Sequence, residues 1–208
     1  MKKIHLLTIA MLFITYCTEA QISFGPKAGL NVANLAGKDI NDGKSLIGLA
    51  IGGLVNYAIN EKFSIQPELL FSQEGMQWKD EDYKQKNRLN YLNIPILAQY
   101  NHPSGFFAHT GPQLGLLLSA KSKFKDEIPS IGDGPGDAIS GTNDIKEYFS
   151  KAIVSWALGA GYLHESGFGV NLRYNRGLSN SLSKTNDGKA ASSVFNIGVV
   201  YVLKSLKK

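Results

Sequence analysis

Residues 55–71 read VNYAINEKFSIQPELLF. Two runs of period-two apolar residues flank a short polar turn, an aromatic stands on each shoulder (Tyr57 and Phe63), and one acid, Glu68, interrupts the second run. Alternation of this kind sends successive side chains to opposite faces of a strand. Phe63, Ile65, Pro67, Leu69 and Phe71 therefore share one face, and Gln66 and Glu68 share the other. Which face is wet decides the fold.

The same pattern recurs along the chain. Eight candidate strands cover about 22–34, 46–58, 63–77, 88–101, 106–120, 151–163, 168–178 and 191–203. Their connections alternate in length: AINEK, NHPSG and LHESG are short and polar, while 35–45, 78–88, 121–150 and 179–190 are long. Short periplasmic turns and long external loops are the layout of an outer-membrane barrel. Each short turn also carries a tyrosine followed six residues later by a phenylalanine: Tyr57 and Phe63, Tyr100 and Phe106, Tyr162 and Phe168. Phe24 and Tyr201 complete a set with one aromatic at the same end of every strand. Rings with one apolar and one wet side favour the headgroup level of a bilayer, so these eight residues are the candidate aromatic girdle.

The face in register with the girdle contains no charged residue from Phe24 to Leu203. The opposite face holds Lys27, Asn31, Asn56, Gln66, Glu68, Glu74, Asn93, Gln99, His109, Gln113, Asn171, Arg173, Asn175 and Asn196, interleaved with glycines. An open sheet in lipid would leave unpaired backbone groups at its edges, so the apolar face belongs outside a closed barrel. The expected fold is all-β, an eight-stranded antiparallel up-and-down transmembrane β-barrel. Eight strands leave an interior that side chains fill. Lys27, Gln66, Glu68, His109 and Arg173 are the candidate lumen network, with Lys27 and Arg173 as candidate partners of Glu68. Pro26, Pro67, Pro95 and Pro112 fall inside strand runs, where each predicts a bulge or a local end of pairing.

The ends and the composition agree with export. Met1-Lys2-Lys3, an apolar run from Ile4 to Ile14 and a small-residue segment ending at Ala20 predict a signal peptide over 1–20, leaving one domain over 21–208. Cys17 is the single cysteine, and Tyr16 before it is too bulky for lipoprotein processing. Cleavage removes Lys2, Lys3 and Glu19 and takes the formal charge from +5 to +4, a modest, dispersed excess that does not suggest nucleic acid. No later stretch has 18 consecutive apolar residues, which excludes a transmembrane helix.

Residues with chemical potential have plainer readings. His164-Glu165-Ser166 supplies hydrolase residue types, but a triad is defined by spatial geometry, and consecutive turn residues are expected not to bring base to nucleophile. His109 reads as a hydrogen-bonded interior histidine. Asp133, Asp137, Asn143 and Asp144 lie among glycines but fit no calcium loop, so 121–150 reads as a flexible acidic external loop. LGAGYLHESG is not a nucleotide fingerprint, since no helix pattern follows it. Trp78 and Trp156 read as interface or lipid-facing anchors. No cofactor is expected.

The segments GPKAGLNVANL, IQPELLFSQEG, YLNIPILAQY, HTGPQLGLLLSA, LGAGYLHESGFGVNLRYNRGLSN and FNIGVVYVL resemble, in order, the PorT-like "porin family" of outer-membrane β-barrels abundant in Bacteroidota. The resemblance implies an eight-stranded outer-membrane barrel. Such barrels often end on an aromatic; here Tyr201-Val202-Leu203 is followed by Lys204-Ser205-Leu206-Lys207-Lys208. The expected role is structural or interactive, through the external loops and without an open pore, with outer-membrane lipid and a protein or surface ligand as partners. Two alternatives stand: a soluble lipocalin-like barrel, which needs its apolar face inward, and a lipid-modifying enzyme, which needs a Ser/His/acid cluster at the bilayer-facing rim.

Overall fold

The computed structural model describes residues 22–37, 43–79, 83–127, 138–183 and 190–203. The predicted signal peptide, the lysine tail, Asp133 and Asp137 lie outside the described residues. The chain forms β1 (Ile22–Gly37), β2 (Lys44–Ala58), β3 (Phe63–Lys79), β4 (Tyr83–Asn101), β5 (Phe106–Glu127), β6 (Ala138–Asp144), β7 (Ala152–Leu163), β8 (Phe168–Gly177) and β9 (Ala190–Tyr201). They hydrogen-bond in the order β4-β3-β2-β1-β9-β8-β7-β5-β6, and β4 also pairs with β5, which closes the sheet on itself. Every pairing is antiparallel. The wall has eight positions although the described strands number nine. The inner half of β5, from Phe106 to Leu116, pairs with β7, and its outer part, from Lys121, pairs with β6. One wall strand is thus built in two pieces around a single 3-10 turn, Lys146–Tyr148.

Two of the long connections are shorter than expected. β3 and β4 run on to Lys79 and from Tyr83, and 121–150 contains the end of β5 and all of β6. Beyond the bilayer both faces of a strand are wet, so a segment such as Lys84-Gln85-Lys86-Asn87-Arg88 loses its apolar alternation while its backbone keeps pairing.

The prolines interrupt pairing without shifting it. Pro26 pairs with Gly53 on β2, Pro67 with Ile96 on β4, Pro95 with Gln113 on β5 and Pro112 with Trp156 on β7. On its other side each proline falls in a gap of an otherwise constant register. One missing donor costs one side of the ladder. The bulges lie elsewhere, between Ser45 and Ala50 in the β2 ladder and between Asn90 and Tyr91 in the β4 ladder. Gly75, at φ +139°, accompanies the first.

The two faces separate as the alternation demands. Ile47 is 65% exposed and Leu158 62%, and the same outer surface carries Phe24, Leu49, Ile51, Leu69, Ile96, Phe106, Phe168 and Val199. Glu68 is 3% exposed and Arg173 2%, with Lys27, Asn31, Gln66, His109 and Asn196 also buried. A lipocalin-like barrel requires the inverse arrangement.

Candidate functional site

The lumen is stacked in layers, and the strand order explains the first. Going round the wall, β1, β3, β5 and β8 are each two positions apart. They contribute Lys27, Glu68, His109 and Arg173 respectively. Side chains from alternate strands can fill one level of a narrow barrel without colliding. β3 and β8 are four positions apart in both directions, so a contact between them crosses the full width.

Arg173 makes that contact. Its Nη1 and Nη2 donate to Glu68 Oε2 and Oε1 at 2.8 and 2.6 Å. Lys27 Nζ lies 3.3 Å from both carboxylate oxygens, and Gln66 Nε2 donates to Oε1 at 2.8 Å. Arg173 Nε donates to His109 Nε2 at 3.1 Å, and Phe107 stacks on the imidazole at 5.6 Å. The five residues expected to share the lumen are therefore joined through one carboxylate and one guanidinium. A planar guanidinium meeting a carboxylate with two parallel bonds fixes orientation as well as charge.

Room for the layer comes from glycines on β7. His109 pairs with Gly159 and Phe107 with Gly161. A Cβ at Gly159 would collide with the imidazole and the Leu172 carbonyl oxygen, and one at Gly161 with the Val170 carbonyl oxygen and the Phe107 ring. The GAG in LGAGYL is thus a seat for two large neighbours.

A second layer joins Asn31, Glu74, Asn93 and Asn196, which the sequence places on the lumen face, to Ser72, which it does not single out. Asn196 Nδ2 donates to Asn31 Oδ1 at 2.8 Å, and Asn31 Nδ2 donates to Ser72 Oγ at 2.8 Å. Ser72 Oγ and Asn93 Nδ2 donate to Glu74 Oε1 at 3.1 and 3.0 Å. Toward the long-loop end an apolar layer follows, of Leu35, Met76, Leu89, Tyr91, Leu117, Ala120, Phe149 and Ile153. Trp78, expected as an interface or lipid-facing anchor, packs against this cluster from inside. It shares the even parity of Glu68 and Glu74 on β3, and parity sets the face. Trp156 lies on the outer surface, with Nε1 donating to Thr110 Oγ1 at 2.9 Å.

At the short-turn end a cavity of about 820 Å³ opens between the turns and stops at Lys27, Gln66 and His109. Gln99 Oε1, His109 Nδ1 and the Asn171 amide have no protein partner there. A polar space of this size takes water.

The girdle residues all lie at this end, but their rings meet differently from the hairpin spacing. Phe63 contacts Tyr100 at 5.5 Å, Phe106 contacts Tyr162 at 5.1 Å and Phe168 contacts Tyr201 at 4.6 Å. Each pair joins neighbouring strands that no short turn links at this end. Tyr57 faces Ile22 and Ile65, and Phe24 bridges to Leu203. Backbone bonds from Asn101 to Lys62, Leu163 to Gly105 and Val202 to Gly167 tie adjacent turns together.

Turn geometry also corrects the expectation for His164 and Ser166. His164 Nδ1 and Ser166 Oγ are 2.9 Å apart, so the pair does meet. His102 Nδ1 and Ser104 Oγ, in the NHPSG turn, meet at 2.6 Å. In both turns the serine N–H also donates to the histidine, and the glycine that follows, Gly105 or Gly167, has φ +91°. A motif repeated in two turns with the same bonds is a turn lock. Asn143 and Asp144, from the weighed calcium set, lie on β6 opposite Ser122 and Lys121. Adjacent strand residues point to opposite faces, so they do not converge. His109 Nε2 accepts from the Arg173 guanidinium, the hydrogen-bonded interior histidine that was expected.

Residues 18–183 match the model of the outer membrane protein β-barrel domain family. No curated protein sequence matches the chain. Among solved structures, the attachment invasion locus protein Ail of Yersinia pestis, in complex with the heparin analogue sucrose octasulfate, is 11% identical with a TM-score of 0.46, covering 88% of this chain and 99% of its own. Neisserial surface protein A is 15% identical with a TM-score of 0.46, over 86% and 96% of the two chains. CarO of Acinetobacter baumannii is 12% identical with a TM-score of 0.44, over 85% and 97%.

Proposed function

The chain belongs to the outer membrane protein β-barrel domain family, and from that premise we propose that it is a non-conducting outer-membrane barrel acting as a structural or interaction protein through its external end. The carrying observation is the Arg173–Glu68 pair across the full lumen, backed by the Asn31, Ser72, Glu74 layer and by the apolar layer beyond it. A hydrated ion meets three successive obstructions. The short turns, with the polar cavity between them, are the periplasmic side, and the long connections are external. The eight girdle aromatics stand at the periplasmic headgroup level. Within the family, the quoted motifs favour the PorT-like group of Bacteroidota, with cleavage after Ala20.

The reading is non-enzymatic. Its histidine and serine pairs are turn locks, and its interior histidine is held by a cation. The partner at the external end is a protein, a surface ligand or the outer leaflet itself. The test is conductance: pure refolded protein in a planar bilayer is expected to give no stable single-channel steps. Reproducible steps at a fixed unit conductance sink the proposal. Replacing His109, His164 and Ser166 tests the enzymatic alternative, since loss of a lipid-modifying activity in membranes would reinstate it.

A further inference from the structure

The outer wall carries an arrangement of charge that folding alone disfavours. On the extension of β4 and β5 beyond the apolar band, Lys86 lies directly opposite Lys123, and Arg88 directly opposite Lys121. Lys84 faces Lys125 one rung further out. Like charges directly opposite on an antiparallel pair repel. Yet the four inner cations line a single groove of about 440 Å³, together with Gln73, Asn90, Ser119 and Thr142.

A bulge puts them there. Asn90 pairs with Ser119 but Tyr91 with Leu117, so Leu118 is the extra residue. Up to Leu118 the even positions of β5 face outward, including Leu114 and Leu116. Beyond it the odd positions do: Lys121 and Lys123 are exposed, while Ala120 and Ser122 are buried. Without the bulge both lysines would point into the barrel. Bulges of this kind re-aim side chains and are built features of a sheet.

The face the cations join is the lipid-facing one. Arg88, Lys86 and Lys84 share parity with Ile94, Ile96 and Tyr100 on β4, and Leu114, Leu116 and Leu118 stand beneath Lys121. Arg88 is about twelve residues along β4 from the Tyr100 girdle. At roughly 3.3 Å per residue and a tilt near 40° that is about 30 Å along the bilayer normal, just above an apolar band roughly 25 Å tall. The groove therefore sits at the headgroup level of the outer leaflet.

We propose that this groove is a docking site for a phosphorylated glycolipid of the outer leaflet, with phosphate between Lys86, Arg88, Lys121 and Lys123 and acyl chains along the apolar strip below. A compact anion of high charge turns the facing cations from mutual repulsion into shared attraction. Continuity with the apolar strip selects a lipid over a soluble polyanion. Asp144, opposite Lys121 on β6, stands beside the groove without lining it.

The experiment titrates the detergent-solubilised mature protein with lipid A bearing two phosphates, with the same lipid dephosphorylated, and with inositol hexakisphosphate as an acyl-free polyanion, and reads complexes by native mass spectrometry. The two-phosphate lipid is expected to bind at least about tenfold more tightly than the dephosphorylated form. The K86Q/R88Q/K121Q/K123Q variant is expected to lose that preference while keeping the migration of a folded barrel, and K62Q/K151Q to retain it. Should the fourfold variant not fold, the wild type alone decides: its affinity for the two-phosphate lipid must fall with added salt, and that for the dephosphorylated lipid must not. Equal binding of both lipids overturns the proposal, as does tighter binding of inositol hexakisphosphate than of the lipid.

Discussion

Arg173 reaches Glu68 across the whole lumen, from a strand diametrically opposite and 105 residues away in the sequence, through two bonds of 2.6 and 2.8 Å. Lys27 completes the set as a second cation on one carboxylate.

This stoichiometry makes Glu68 the sensitive member. Glu68→Ala leaves two buried cations without their counter-ion, a loss of about 3–5 kcal/mol for an interior pair. The triple variant Lys27→Met, Glu68→Met, Arg173→Met removes the charges together and is expected to be more stable than Glu68→Ala alone. Urea unfolding of the refolded barrel, followed by its electrophoretic migration, measures both. A triple variant less stable than the single one contradicts the charge argument.

Gly159 holds the space beneath His109. Gly159→Ala is expected to cost about 1–3 kcal/mol by overpacking. Combining it with His109→Ala should recover part of that loss, because the colliding ring is gone. Strictly additive effects in this double-mutant cycle would show that the two positions do not press on each other.

The His-x-Ser-Gly turns separate side-chain from backbone effects. His164→Ala with Ser166→Ala removes one exposed lock, at about 1 kcal/mol or less. Gly167→Ala forces a side chain into φ +91° and is expected to cost about 1–3 kcal/mol. Unfolding midpoints rank the two, and a larger effect from the first would count against the turn reading.

The two tryptophans report the two faces. In bilayers containing brominated lipid, the Trp78→Phe variant, which keeps only Trp156, should be strongly quenched. The Trp156→Phe variant, which keeps only Trp78, should be nearly insensitive. Similar quenching of both would place Trp78 at the lipid surface after all.

Within the bilayer the fold was legible because one face of each strand meets hydrocarbon and the other does not. Parity from Phe63 to Phe71 and from Phe168 to Tyr174 therefore carries strand, face and register together. Parity also held the answer for Trp78, which an association of tryptophan with interfaces obscured. Beyond the bilayer the contrast vanishes, so β6 and the outward reach of β3, β4 and β5 left no hydropathic trace. The candidates Lys27 and Arg173 for Glu68 came from shared face alone. That both bind the same carboxylate depends on β1 standing two positions and β8 four positions from β3 around the wall, a property of closure that no local window contains. In the second layer, parity had already placed Asn31, Glu74, Asn93 and Asn196 on the lumen face, but not Ser72, which joins Asn31 to Glu74, because a serine on a strand carries no distinctive signal. Ring pairing at the short-turn end was not legible for a related reason. Tyr57 and Phe63 are neighbours in sequence across a turn, but Phe63 meets Tyr100, which the β3–β4 register alone dictates.

Among the described residues the wall of the barrel is uneven at its outer rim. β8 ends at Gly177 and β9 begins at Ala190, while β4 starts at Tyr83 and β5 continues to Glu127 with β6 alongside. A smooth cylinder has no heading: turned about its axis, it offers every neighbour the same profile. This protein has a prow and a stern. Its azimuth in the plane of the membrane is defined by the tall β3–β4–β5 flank, and whatever crowds against it from that side meets a different molecule from what crowds against the low flank at β8 and β9.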